Sequence, residues 1–461
     1  MYYPGTDIND QATAPAKDSV ATDQLLGLKV AIWGYFLLLI LEGALRKWFL
    51  PSLATPLLII RDPLAVYVVL VAWRQGLLPR TFYLTGMIGI GVIGIFTAVL
   101  LGHGNLAVTL FGARILLIHY PLIFAIGRVF TRDDVIRMGN VLLWMVLPMA
   151  VLILLQFSSP QSAWVNRGVG GALEGSGFSG AMGYFRPSAT FSFTNGTSLF
   201  FGLAGAYILY FWLTPREANK LVLLCATIGL LISVPLSISR SLFFGVGVSV
   251  IFALLTISRK PKYLGKIILA IIGIAGILAV LSERPFFQTA LYVFLARFES
   301  ASNVEGGLEG VILDRYLGGM IGALTQSDSF PFFGYGMGLG TNAGSMLLKG
   351  EVLYLISEGE WGRLIGEMGP FLGLSAIFIR LAFSIRLSLA CYGKLAKGDS
   401  LPWLLASFGL IVLPQGQWGQ PTTLGFSTLI GGLILASLRV RRSEVNKPKA
   451  SSFETTNQVY A

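Results

Sequence analysis

The sequence predicts an all-α polytopic membrane protein. It has about 12 transmembrane helices and a large, partly helical outer (periplasmic) loop between spans 9 and 10. Three observations predict this class. Hydrophobic residues make up 54% of the 461-residue chain and charged residues only 12%, about half the charge of an ordinary soluble domain, and mean hydropathy is +0.72. Apolar runs long enough to cross roughly 30 Å of hydrocarbon recur along the chain. Those runs are apolar all round rather than alternating, so a transmembrane barrel is excluded. Only helices can then satisfy the backbone in lipid.

The elements follow in chain order. Residues 1–23 are polar and read as a cytoplasmic, disordered tail. The first apolar run has no small-residue cleavage pattern behind it, so it reads as a span rather than a signal peptide. Spans are expected at about 26–44, 57–73, 82–101, 106–126, 138–157, 188–213, 220–236, 242–257 and 264–282. Together, residues 24–282 carry spans 1–9. Residues 283–363 form the outer-face region, and residues 364–442 carry spans 10–12 at about 364–385, 401–414 and 422–438. Residues 443–461 are a second polar cytoplasmic tail.

Charge sets the orientation. With both termini in the cytoplasm, the inner loops, the tails and Lys29 hold 21 of the 34 Lys and Arg residues, as the positive-inside rule requires. The net charge of +11 is therefore mostly a topology signal. The basic C-terminal tail reads as an anchor touching anionic lipid rather than a nucleic-acid site. The lipid bilayer is thus a partner and nucleic acid is not. The two cysteines and two histidines have no metal-ligand spacing, so neither a metal nor another cofactor is expected.

Against this sparse background, "SEGEWGRLIGEMGPFLGL" (357–374) places Glu358, Glu360, Arg363 and Glu367 at the mouth of an apolar run. Glu367 stands at i+4 from Arg363 and reads as its ion-pair partner. On the same outer face, Arg186 enters the membrane in "YFRPSATFSFTNG", with Pro187 suited to a first helical turn and Ser192, Thr194 and Asn195 just beyond. Arg240 lies in the sharp connection "SISRS". Arginines and carboxylates gathered on one face fit an anionic ligand with proton transfer nearby. Each also has a plainer reading, as a snorkelling arginine or a carboxylate favouring a helix N-terminus. Arg61, Asp62 and Arg114 are costly in lipid and must face protein or water, either as structural ion pairs or as part of a site.

The order "RPSATF…N", then "SISRS", then a large outer loop with "FPFFGYGMGLG", then "EWGRLIGEMGPFLGL" resembles the bacterial O-antigen ligase and O-antigen/exopolysaccharide polymerase (Wzy-like) superfamily over about residues 26–438. The early "EGALRKWFLP…LLIIRDPLAVYVV" is similar to its exopolysaccharide-polymerase branch. The resemblance implies a twelve-span, metal-independent glycosyltransferase at the outer face of the bacterial inner membrane, acting on an undecaprenyl-pyrophosphate-linked glycan. Arg186 and Arg240 match the family's two arginines for the pyrophosphate, and Arg315 in "LDRYLGGM" resembles a third. Where the ligases carry a histidine nine residues before the glutamate of E-x-G, this chain has Glu358.

The resemblance thus implies Glu358 or Glu360 as the group that activates the acceptor hydroxyl. Asn195 and Trp361 become substrate contacts, the latter as a sugar-stacking face, and Glu367 holds its helix in place. The leading expectation is a polymerase joining repeat units of an exopolysaccharide or O-antigen, with a chain-length regulator as a partner. A ligase delivering glycan to lipid A core or another acceptor is the alternative within the class. A transporter or flippase for lipid-linked glycan is the rival of another class, and Arg61, Asp62 and Arg114 are its best support.

Overall fold

A computed structural model describes residues 16–175, 178–259, 264–305, 330–341 and 359–439, together with Thr325, Gly344 and Leu348. Among the described residues there is no β-strand, and one isolated antiparallel bridge joins Ser179 to Phe185. The helices are α1 (Ala16–Ala44), α2 (Asp62–Arg74), α3 (Phe82–Leu100), α4 (Leu106–Arg114), α5 (Tyr120–Val129), α6 (Arg132–Ser158) and α7 (Thr194–Leu213). They continue with α8 (Lys220–Leu236), α9 (Arg240–Ser258), α10 (Leu264–Ser282), α11 (Pro285–Glu305), α12 (Glu360–Ala396), α13 (Leu401–Val412) and α14 (Pro421–Ser437).

Eight helical stretches of the described chain are long and apolar enough to cross a membrane, beginning with Leu25–Phe49 and ending with Glu360–Ala396. Their outward sides expose large apolar residues such as Trp73, Leu100, Trp144 and Phe378, a surface that suits lipid rather than water. The centre is α14, buried along almost its whole length. Its glycines admit α5 closely: a Cβ on Gly432 would meet Ile126 Cβ at 2.5 Å.

Local chemistry sets the element ends. Thr131 opens α6 with a reciprocal capping box to Asp134, and Asn105 and Ser239 cap α4 and α9, each occupying an amide that would otherwise lack a partner. α4 and α5 form one helix interrupted by a π turn at Ile115–His119. Pro121 supplies no N–H to the turn before it, a standard cause of such a bulge. α1 likewise ends in a π turn, Leu45–Phe49, ahead of Pro51.

Side-chain ties identify two ends of the bundle. At the first, Arg132 forks onto Asp399 (2.6 and 2.8 Å) and Lys29 pairs with Asp134 at 2.6 Å. The second carries the C-terminal end of α1 and the N-terminal ends of α7, α9 and α14, and is called here the Arg186 end.

Three expectations from the sequence are corrected. α1 starts at Ala16, so residues 16–23 are helical rather than disordered. Span 188–213 begins as a helix only at Thr194, and Pro187 therefore occupies no helical first turn. Residues 189–193 instead form a turn and bends held by the side chains of Lys47 and of Gln156 in α6. α13 and α14, by contrast, keep nearly the expected bounds of 401–414 and 422–438.

The third concerns 364–385, which is not a single straight span. Glu360 Oε1 lies 2.7 Å from Arg380 Nη1, whereas 20 residues of straight helix would separate them by about 30 Å. The chain reverses at Gly369–Pro370, and Gly373 packs against the backbone of Ile365. Within residues 283–363, α11 is helical, and together with Phe157, Leu236 and Ile238 it builds a small separate apolar cluster.

Candidate functional site

The stretch that stood out in the sequence is the reversal itself. Gly369 adopts φ 76° and ψ 170°, a conformation essentially reserved for glycine. Pro370 cannot donate to the carbonyl of Gly366, and the glycine-rich loop Phe330–Gly340 supplies the missing donors. Tyr335 N–H reaches Gly366 O at 2.8 Å and Gly336 N–H reaches Glu367 O at 3.0 Å. Gly340 N–H then donates to Glu367 Oε1 at 2.9 Å. Gly334, Gly336 and Gly338 all have positive φ, which lets the loop lie flat on the broken helix.

Inside the reversal the charges form a closed network. Arg363 bonds Glu360 with Nε at 3.0 Å and Nη2 at 2.9 Å, and bonds Glu367 with Nη1 at 2.7 Å. Arg380 adds the third contact to Glu360 and stacks over Trp418 at 3.8 Å. Its remaining donors hold Leu413 O (3.1 Å) and Gly416 O (3.0 Å). Trp361 Nε1 holds Pro414 O at 3.0 Å, and Arg61 Nη2 holds Pro421 O at 2.7 Å. Carbonyls along the non-helical connection between α13 and α14 are thereby satisfied by buried side chains, as buried backbone acceptors require.

A chain of contacts joins this network to the arginines singled out in the sequence. Gly419 lies against Arg363. Its neighbour Gln420 accepts from Asn195, which also bonds Thr423 Oγ1 at 3.0 Å. One turn further along α7, Ser198 Oγ meets Ser239 Oγ at 2.7 Å. Ser239 caps the helix whose first residue is Arg240. Thr197 Oγ1 bonds Pro187 O at 3.2 Å, next to Arg186. Arg186, Arg240, Asn195 and Glu360 therefore share one end of the bundle. The floor between them includes Gln417, exposed to solvent and linked to Gln420 at 2.6 Å.

The remaining candidates fall differently. Glu358 and Arg315 lie outside the described residues. Glu360 is 3% exposed and both its oxygens accept from guanidinium groups, so it is arranged as an ion-pair partner and presents no oxygen to an acceptor. Trp361 is 7% exposed with its indole N–H engaged, so its ring is packed inside rather than open as a stacking platform. Glu367 pairs with Arg363 at the expected i+4 spacing.

The intramembrane charges are ion-paired. Arg61 bonds Glu42 at 3.0 Å. Asp62 bonds Arg114 at 2.5 Å and faces His119 Nε2 at 3.5 Å. Sequence reading missed Glu42, Arg380 and the glutamine-rich connection 415–420. Only the Glu42–Arg46 i+4 spacing in "EGALRK" offered a signal, and that pair is present at 3.5 Å. No group of three or more His, Cys, Asp or Glu side chains that could hold a metal ion occurs among the described residues.

Fold and composition together are those of a helical membrane protein. No protein-family model, curated protein or solved structure matches the chain.

Proposed function

We propose that this protein is a metal-independent membrane glycosyltransferase of the O-antigen ligase/polymerase type. In this reading it polymerises undecaprenyl-pyrophosphate-linked repeat units of an exopolysaccharide or O-antigen. It spans the bacterial inner membrane about twelve times with both termini cytoplasmic, and the Arg186 end faces outward. A chain-length regulator is an expected partner.

The observation that supports the reading is the gathering of Arg186, Arg240 and Asn195 at the end where several helices are interrupted by polar connections. Guanidinium groups suit a pyrophosphate and would stabilise the charge that develops on it as it leaves. With Glu360 committed to Arg363 and Arg380, the activating base falls to Glu358. A ligase reaction would use the same groups with a different acceptor. Transport draws its support from Arg61, Asp62 and Arg114, but each is ion-paired, which favours transfer over transport.

The test is polysaccharide output from a deletion strain complemented with wild type, Arg186→Ala, Arg240→Ala, Glu358→Gln or Glu360→Gln at matched membrane levels. Transfer predicts that the two arginine variants and Glu358→Gln leave single repeat units on the lipid carrier. Full-length polymer from all three would overturn the assignment.

A further inference from the structure

The segment between Arg186 and Asn195 is held unusually firmly, and its holder is a buried lysine. Lys47 is 1% exposed, and among the described residues no carboxylate lies within ion-pairing distance of it. Its amine donates to Ser188 Oγ at 3.1 Å and to Ala189 O at 2.5 Å, and it stands 4.6 Å from the Trp48 ring centre. Ala189 has φ 49°, a conformation that side chains other than glycine's adopt at a cost. Gln156 closes the other side: its Oε1 accepts from Ala189 N–H at 2.8 Å and its Nε2 donates to Ala189 O at 3.2 Å. α1 approaches so closely that a Cβ on Gly43 would lie 2.4 Å from Thr190 O. On the far side of Arg186, a tight turn with Met182 and Gly183 at positive φ and the bond from Arg186 N–H to Phe178 O at 2.9 Å fix the chain.

A buried amine held only by uncharged acceptors is costly to keep, and a strained residue persists only where its surroundings over-determine it. Packing alone needs neither, since an apolar side chain would fill the same space. We propose that Lys47, with Gln156, is a positioning residue: it locks Ser188 and Ala189 so that Arg186, two residues earlier, presents its guanidinium to the pyrophosphate in one fixed place. The inference rests on the ligand proposed above.

The test is a double-mutant cycle on binding of undecaprenyl pyrophosphate to the full chain in nanodiscs, using wild type, Lys47→Met, Arg186→Ala and the double variant. Lys47→Met should weaken binding about tenfold in the wild type and leave it nearly unchanged in the Arg186→Ala background, because an effect exerted through Arg186 vanishes with it whereas independent effects add. Equal losses in both backgrounds would make Lys47 a stability residue and overturn the inference. Arg186→Ala binding as tightly as wild type would instead overturn the ligand assignment beneath it. Ser188→Ala, which removes one acceptor of Lys47 and keeps its side chain, gives the same cycle if Lys47→Met does not fold; coupling to Arg186 supports the proposal and additivity overturns it.

Discussion

Glu360 and Arg380 are 20 residues apart in one helical stretch, yet their side chains meet at 2.7 Å. The contact exists because the chain turns back at Gly369–Pro370, and it makes residues 360–368 a short inner helix packed against the start of the long one. The carboxylate, two guanidiniums and Glu367 then neutralise one another where lipid and water are both excluded.

This pairing separates a structural from a catalytic Glu360. Removing one partner of a buried ion pair typically costs about 3–5 kcal/mol. Glu360→Gln is therefore expected to lower the thermal unfolding midpoint of the purified protein strongly, and Arg380→Gln to do the same. A Glu360→Gln variant as stable as wild type but inactive would return Glu360 to the role of base.

Gly369 should tolerate no side chain. Its conformation costs other residues about 1–3 kcal/mol, and an added Cβ would sit 1.9 Å from Phe332 O. Gly369→Ala should reduce folded protein in the membrane, read as monodisperse yield after extraction. Pro370→Ala is expected to be milder, because Tyr335 already supplies the donor to Gly366.

Asp62 tests the intramembrane charges. Asp62→Asn leaves Arg114 buried without its counter-ion, so the expected result is a loss of stability of about 3–5 kcal/mol. A stable Asp62→Asn protein that has lost only movement of lipid-linked glycan would support transport instead.

Gln417 is the opposite case. It is exposed on a loop whose backbone is held from below, so Gln417→Ala should change stability by no more than about 0.5 kcal/mol. If the floor between Arg363 and Asn195 receives glycan, polymer yield or length should nevertheless fall at equal membrane level. Unchanged polymer would remove this loop from substrate contact.

Much of the fold was legible because lipid compels apolar length. The runs at 82–101, 220–236 and 242–257 reappear as helices at nearly those bounds. The interrupted elements were not legible. Hydropathy averages across Gly369, so it reads one span where the chain reverses, and it reads "PSATFSF" as helix because its uncharged residues run straight into the apolar stretch that follows. The helix there is displaced by long-range donors from Lys47 and Gln156, which no local pattern encodes. Of the site, the i+4 pair Arg363–Glu367 was readable from spacing. Glu360 could not be told from Glu358, because its commitment depends on Arg380, which spacing along a straight helix places a bilayer thickness away.

The reversal at Gly369 also bears on how the chain enters the membrane. An emerging segment is sorted by its own hydropathy, and each charged residue at a span's centre adds roughly 2.5–3.5 kcal/mol to insertion. Residues 360–368 carry three such charges, whereas residues 371–385 carry only Arg380. The translocation machinery is therefore expected to accept the second half as the span and leave the first half outside. Glu360–Met368 would sink into the bundle only later, once Arg380 and the preceding glycine loop are in place to receive it. A chain arrested only after residues 371–396 have left the ribosome, before α13 and α14 follow, should accordingly show residue 363 accessible to a membrane-impermeant reagent, and the finished protein should not.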